Sequence, residues 1–239
     1  MNPTHTPDRF QTQAARVAGA ALLLAIAIVV AANYGISFRL IVPSNAVDTA
    51  RNIMAHETLF RVNIACDLLY VVDLLILAAA LYVVLKPAGR TGALVAALFR
   101  VVFAVVWAVA ALGMLGALRL LGDAGYLPVF AAAQLQTLAR LRLSEAYDAY
   151  YIGLPFWGLA STVCSVLWLK SRYIPRVLAG YGVLSSVWCV LCAFAFIVLP
   201  HFDKTVNAWL YDMPVVLFEL ALGLWLLFKG LRIPEQMAE

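Results

Sequence analysis

Four ionisable side chains interrupt the long apolar stretches of this chain: Asp67, Asp73, Arg100 and Glu219. On insertion scales, a charged residue at the centre of a membrane helix costs about 2.5–3.5 kcal/mol. Such residues usually face the interior of a helix bundle and pair with one another. Carboxylates and a guanidinium in that setting could bind a small solute, carry a proton or join helices through a buried ion pair.

Three of these residues are expected to lie at similar depths. With a rise of about 1.5 Å per residue from the inner end of each predicted helix, Asp73 lies about 18 Å deep, Arg100 about 12 Å and Glu219 about 13 Å. An arginine side chain can span such differences, so the sequence predicts a buried Asp73–Arg100–Glu219 cluster. Two carboxylates against one guanidinium leave a negative charge, which a proton or a bound cation would balance.

A polar stripe extends this cluster along one helix. At 100° per residue, one side of the second predicted helix carries Asn63, Asp67, Tyr70 and Asp73. Arg61 lies beyond the stripe near the outer boundary, and Asp212 lies one heptad before Glu219 on the same face. These two residues are candidates for an outer entrance, although Arg61 is also explained by snorkelling to the interface.

The composition identifies the elements that must position these side chains. Hydrophobic residues make up 64% of the 239 positions and charged residues 13%, with a mean hydropathy of +0.91. A soluble domain is about 45–50% apolar and about 25% charged, and disordered chains are more polar still. The composition therefore excludes both classes and predicts an all-α, multi-pass membrane protein. The net charge of +4 is spread over the loops and does not indicate nucleic-acid binding.

Six apolar stretches approach or exceed the length of about 20 residues that spans a bilayer. They form a single predicted membrane domain over residues 1–239, with spans at 17–34, 59–85, 92–121, 150–169, 177–199 and 209–228. The first is longer than the apolar core of about 7–15 residues in a signal peptide, which favours an uncleaved first helix.

Basic residues in the short loops predict the orientation. Two dense clusters, Lys86 with Arg90 and Lys170 with Arg172 and Arg176, mark the cytoplasmic side. Both termini are then predicted to lie on the cytoplasmic side of the plasma (inner) membrane.

Two outer loops are long enough to form helices. One helix is predicted over 45–58 with Ser44 as its N-cap. A second, amphipathic helix is predicted between the third and fourth spans, with an apolar face formed by Leu127, Phe130, Leu135, Leu138 and Leu141. We expect this helix to lie in the outer interface and run into the fourth span, with a lid over a cavity as the alternative.

Other chemistry receives little support from the sequence. His56, Glu57, His201 and Asp203 could gather around a divalent ion, but their spacing matches no metal motif. No nucleophile elbow or phosphate-binding loop is present, so the sequence predicts no metal, no cofactor and no catalytic residues, and does not favour an enzyme.

Short motifs in a fixed order are similar to those of a known family. They include Leu40–Pro43, Leu59–Arg61, Tyr151–Leu154, Phe156–Leu159 and Lys170–Arg176. Over about residues 16–232 the chain resembles the bacterial membrane family catalogued as domain of unknown function 4386. The resemblance implies a bacterial six-span protein without an assigned activity, so it carries over no functional residues.

Three functions remain open. The leading hypothesis is binding or translocation of a small solute, lipid or proton at the Asp73–Arg100–Glu219 cluster. The alternative is a non-catalytic structural or regulatory subunit in which the charges clamp the helices, and the third is an intramembrane acid–base enzyme. A ligand site requires a cavity of at least about 300 Å³. The predicted partner is the lipid bilayer, and the oligomeric state is open.

Overall fold

A computed structural model describes residues 8–122, Gly125 and residues 129–232, and none of these residues forms a β-strand. The predicted all-α class is thereby confirmed for the described chain. The elements are α1 (Arg9–Val29), the π-helix π1 (Val30–Ser37), α2 (Phe38–Leu40), α3 (Ala46–Ala55), α4 (Glu57–Leu85), α5 (Arg90–Leu121), α6 (Ala132–Ser171), α7 (Arg176–Val198), α8 (Phe202–Thr205), α9 (Ala208–Tyr211), α10 (Met213–Leu224) and the π-helix π2 (Trp225–Lys229).

Five described helices are long and apolar enough to cross a bilayer, which supports a membrane-embedded protein. They are Arg9–Leu40, Glu57–Leu85, Arg90–Leu121, Ala132–Ser171 and Arg176–Val198. The sixth predicted span, 209–228, is divided near Asp212, after which the 12-residue α10 continues directly into the five-residue π2. The structure therefore does not confirm the predicted sixth span, and a total of six remains a prediction.

Two helices extend beyond their predicted ends. The first continues six residues past the predicted end at residue 34, because π1 carries the helical path to α2 without a break. The predicted amphipathic segment and the fourth span form the single 40-residue helix α6, which continues through Pro155. Its placement in an interface stays a prediction, and Leu127 lies outside the described residues.

The predicted N-cap of the 45–58 helix is wrong by one residue. Asn45 caps α3, because its side-chain oxygen accepts the Asp48 backbone N–H at 2.9 Å. Ser44 has φ = 61°, which places it in the left-handed turn before the cap. The helix also ends at Ala55, and α4 begins at Glu57.

Of the described chain, two compact units can be separated. Unit 1 draws its residues from Met1–Ile26, Asp73–Ala104 and Tyr151–Glu239, and unit 2 from Ala27–Val72 and Val105–Tyr150. The core of unit 2 includes Leu40, Ile53, Phe60, Ala117 and Leu143, all of them buried. The core of unit 1 includes Leu22, Leu77, Trp168, Phe218 and Leu226.

Chain ends and loops meet at one end of unit 1. Gln11 near the start of α1 donates its side-chain N–H to the carbonyl of Val84, one residue before α4 ends, at 2.8 Å. The backbone N–H of Arg232 donates to the carbonyl of Tyr173 in the α6–α7 loop, also at 2.8 Å. The first turns of α1 and the C-terminal end of the described chain are thus each fixed to the end of another long helix or its loop.

Close helix packing in unit 1 depends on glycine. A Cβ atom on Gly182 of α7 would lie 2.5 Å from ring carbons of Phe218 and 2.6 Å from the Ser165 hydroxyl. A Cβ on Gly19 of α1 would lie 2.7 Å from the backbone nitrogen of Leu227. Because lipid tails are as apolar as the helices, helix association in a membrane depends on close van der Waals packing, which small residues allow.

We expect Gly182→Ala to destabilise the protein by about 1–3 kcal/mol, the usual cost of overpacking a core. The measurement is thermal unfolding of the detergent-solubilised full chain. Gly180→Ala is the matched control on the same helix, since a Cβ there meets nothing within 4 Å and alanine favours helix. Equal behaviour of the two variants would contradict the packing.

Candidate functional site: a buried carboxylate–guanidinium cluster

A buried ion pair joins α5 and α10 in unit 1. Arg100 Nη2 lies 3.0 Å from Glu219 Oε1, and the two residues are only 3% and 6% exposed. The same carboxylate oxygen accepts the indole N–H of Trp157 at 3.0 Å and the hydroxyl of Ser161 at 3.1 Å. Arg100 Nη2 also donates to the Ser161 oxygen at 3.3 Å. Three side chains therefore donate to one carboxylate oxygen.

The geometry of α6 explains how Trp157 and Ser161 reach the same atom. Residues four apart lie on one face of a helix, one turn above the other. The ring of Phe103 stacks on Trp157 with 6.3 Å between centroids, and it limits the indole to one side. Hydropathy counting does not reveal either donor, although the W-x-x-x-S spacing in the fourth predicted span is a signal that could have identified them.

Asp73 is the second carboxylate of the predicted cluster. It is 4% exposed, and its Oδ2 atom has no hydrogen-bond partner among the described residues. Arg100 interacts with it electrostatically. The structure therefore places Asp73, Arg100 and Glu219 in the same unit. Two carboxylates and one guanidinium carry a formal excess of one negative charge if both carboxylates are ionised.

A narrow void lies beside Arg100. About 190 Å³ of empty space is bounded largely by α4 and α5, and no part of it is wide enough for a water molecule. Its lining includes Ala78, Ala93, Ala96, Ala97 and Cys164. Packed small residues, and not an open chamber, therefore surround the guanidinium on this side.

The rest of the predicted stripe lies in unit 2, where Asp67 has aromatic neighbours. Asp67 Oδ1 accepts the indole N–H of Trp107 at 3.1 Å, and Asp67 is 9% exposed. Tyr70 and Tyr150 both pack edge-on against Trp107, with ring centroids 4.8 Å and 5.9 Å away. The contact of Trp107 with Asp67 and the packing of Tyr150 on Trp107 were not predicted from the sequence.

Asn63, the fourth residue of the stripe, contacts the end of π1. Its Nδ2 donates to Ser37 Oγ at 3.0 Å, and Met114 Sδ lies 4.0 Å away. The residue is 2% exposed, and its Oδ1 has no hydrogen-bond partner in the described chain. Asn63 thus holds the last residue of the π-helix against α4.

The two predicted entrance residues lie in different surroundings. Arg61 in unit 2 is exposed and forms an ion pair with Glu57 at 2.7 Å. Asp212 in unit 1 is half-buried and precedes α10, and its carbonyl accepts the N–H groups of Val215 and Val216. The described residues contain no group of three His, Cys, Asp or Glu side chains that could hold a metal ion. The side chain of Asp203, one of the four considered above, lies outside the description.

We expect Glu219→Gln to destabilise the protein by about 3–5 kcal/mol, because it removes the negative charge that balances the buried Arg100. The double substitution Arg100→Met with Glu219→Leu should destabilise it much less, since replacing both members of a buried pair by apolar residues is often neutral. Thermal unfolding of the solubilised variants measures both effects. A double variant as unstable as Glu219→Gln would contradict the ion-pair interpretation.

One of three comparisons with known proteins gives a match to the chain. Neither the curated proteins nor the solved structures contain a match to the chain. A family model described as "Domain of unknown function (DUF4386)" matches residues 17–230, which is most of the chain and includes Asp73, Arg100 and Glu219. The resemblance in the sequence motifs is thereby confirmed, and the chain belongs to the DUF4386 family.

Proposed function

We propose that this chain is a six-span protein of the bacterial inner membrane that binds a proton at Asp73, beside a fixed Arg100–Glu219 ion pair. The observation that carries the proposal is the Asp73 carboxylate, which is 4% exposed and whose Oδ2 has no hydrogen-bond partner among the described residues. A proton on that carboxylate would balance the cluster at one positive and one negative charge.

The cluster geometry favours a proton over a larger ligand. A solute or lipid site requires about 300 Å³ or more, whereas the void beside Arg100 holds no water-sized space. Three donors already occupy Glu219 Oε1, so a ligand there would have to displace them. A proton needs no cavity, and it can reside on a carboxylate within packed surroundings.

The alternative function is that of a non-catalytic structural or regulatory subunit. The observation that favours it is the same buried ion pair, because side chains of α5 and α6 donate to one carboxylate oxygen of α10. The acid–base enzyme receives less support. Neither the void beside Arg100 nor a cleft at Arg61 is lined by two carboxylates.

Contacts at the ends of unit 1 support the six-span arrangement. The start of α1 is bonded to the end of α4 through Gln11, and the C-terminal end of the described chain is bonded to the α6–α7 loop through Arg232. The basic residues of the two short loops predict that both of these loops are cytoplasmic. Both termini then lie on the cytoplasmic side, as an even number of spans requires.

Reporter fusions test this topology. A fluorescent protein that folds only in the cytoplasm, fused to the C-terminus, should fluoresce, whereas alkaline phosphatase, which is active only outside the cytoplasm, should be inactive at the same position. Fusions in the α4–α5 loop should give the same result and serve as the control. An active phosphatase at the C-terminus would indicate five spans.

We expect the infrared spectrum of the full-length protein at mildly acidic pH to contain the band of protonated carboxyl groups, and Asp73→Asn to weaken it. Asp67, the other buried aspartate, contributes the remainder. Asp48→Asn is the control, because Asp48 is partly exposed and pairs with Arg51. Asp73→Asn should also unfold at nearly the wild-type temperature, since asparagine replaces a neutral acid by a neutral group of similar shape.

A wild-type spectrum without this band, or a band of the same intensity in Asp73→Asn, would contradict proton binding at Asp73. The structural function would then be preferred, because it requires only the Arg100–Glu219 pair.

A further inference from the structure

A second site lies in unit 2, where the start of α4 meets the end of α5. A cleft of about 330 Å³ opens there to the surface. We call it the arginine cleft, and its lining residues are Met54, Glu57, Arg61, Leu115, Leu118, Arg119 and Gly122. Its volume is within the range of about 300–1,000 Å³ that is typical of small-molecule sites.

The cleft has two arginines and one carboxylate. Arg61 is held by Glu57, whose Oε1 accepts the Nε–H at 2.7 Å and lies 2.7 Å from Nη2. Arg119 is exposed in the last turn of α5 and forms no ion pair with another described residue. The cleft therefore has a formal charge of +1, and Arg119 can offer its planar donors to an anion without giving up an ion pair to another described residue.

The remaining lining of the cleft is apolar. Leu115 and Leu118 come from α5, and Met54 comes from α3. Nearby on the candidate spans α4 and α5, Val62 is 47% exposed and Leu112 is 65% exposed. Apolar side chains this exposed on helices that can cross a membrane face lipid. The arginine donors thus adjoin an acyl-chain surface at the ends of two candidate spans.

We propose that the arginine cleft binds the phosphate of an anionic phospholipid, with the acyl chains of the lipid against the leucine side. Arginine recognises phosphate through paired N–H donors. A net charge of +1 selects a head group with a net negative charge over a zwitterionic one. A free phosphate shares this chemistry but would leave the leucine side without a partner.

The negative charge of Glu57 opposes the two arginines of the cleft. Its carboxylate accepts the Nε–H of Arg61, pairs with the guanidinium and repels an anion in the same cleft. Neutralising it raises the charge of the cleft from +1 to +2 and releases donors to the ligand. Loss of an arginine and loss of the glutamate must therefore change the affinity for anionic lipid in opposite directions.

The experiment uses the full chain in detergent and measures its binding to phosphatidylglycerol and to phosphatidylcholine by native mass spectrometry. We expect the wild-type protein to prefer phosphatidylglycerol. Arg119→Gln and Arg61→Gln should each weaken that binding about fivefold, from about 1 kcal/mol per basic residue near an anionic lipid. Glu57→Gln should strengthen it.

Arg51→Gln is the matched control in the same unit. The Arg51 side chain is 73% exposed, compared with 59% for Arg61. Arg51 pairs with Asp48 and is not part of the cleft lining. It should leave the binding of phosphatidylglycerol unchanged. Thermal unfolding of each variant excludes a folding defect, and the exposed Arg119 provides a second arginine variant should Arg61→Gln unfold.

Three results would overturn the proposal. An equal loss in Arg51→Gln and Arg119→Gln would indicate attraction by surface charge in general. Equal binding of the two lipids would remove the selectivity for an anionic head group. Full competition by inorganic phosphate at concentrations comparable to those of the lipid would show that the cleft binds a soluble anion instead. Because Asp73 lies outside this cleft, the proton proposal can fail or succeed independently.

Discussion

The ion pair between Arg100 and Glu219 is the interaction on which unit 1 depends most. Each charge has left water, and the penalty is offset only if the partner and the remaining hydrogen bonds are well placed. Trp157 and Ser161 provide those additional bonds to Glu219. Since the residues come from α5, α6 and α10, a rotation or shift of any one of these helices would break a bond in an apolar surrounding, and the register of all three is fixed.

Helix packing in unit 1 must be close for this arrangement to form. At Gly182, the ring of Phe218 occupies the space that a Cβ would need, and Phe218 immediately precedes Glu219 in α10. At Gly19, the backbone of π2 approaches just as closely. These glycines let α7 and α1 pack directly against the segment that carries the buried carboxylate, so the position of Glu219 is supported from two sides.

The regular geometry of the α-helix was enough to predict part of this structure from the sequence. The rise per residue of a helix placed Arg100 and Glu219 at similar depths, and the structure brings them into contact. The same counting cannot find Trp157, because an indole counts as apolar until a partner for its N–H is known. It also did not place the ends of α6, which begins at Ala132 and continues through Pro155 to Ser171.

The contacts in unit 2 are harder to predict from a single sequence than the ion pair in unit 1. In unit 2, Asp67 and Asn63 are detected as polar residues on an apolar helix. Trp107, which donates to Asp67, and Tyr150, which packs on Trp107, come from α5 and α6, far away in the sequence. The arginine cleft is harder still to predict. Arg61 and Arg119 are 58 positions apart, and arginines at the ends of spans are ordinary, so only their arrangement around one cleft distinguishes them.

The number of charges is the strongest reason to look beyond a clamp in unit 1. A clamp between helices needs one carboxylate for one guanidinium, and Glu219 fulfils that need with three donors on one oxygen. Asp73 adds a second carboxylate to the same surroundings, at an insertion cost of about 2.5–3.5 kcal/mol. Its Oδ2 accepts no hydrogen bond from a described residue, so the clamp alone gives Asp73 no role. The proton proposed for Asp73 would give it one, since a carboxylate that takes up and releases a proton keeps an oxygen without a permanent donor.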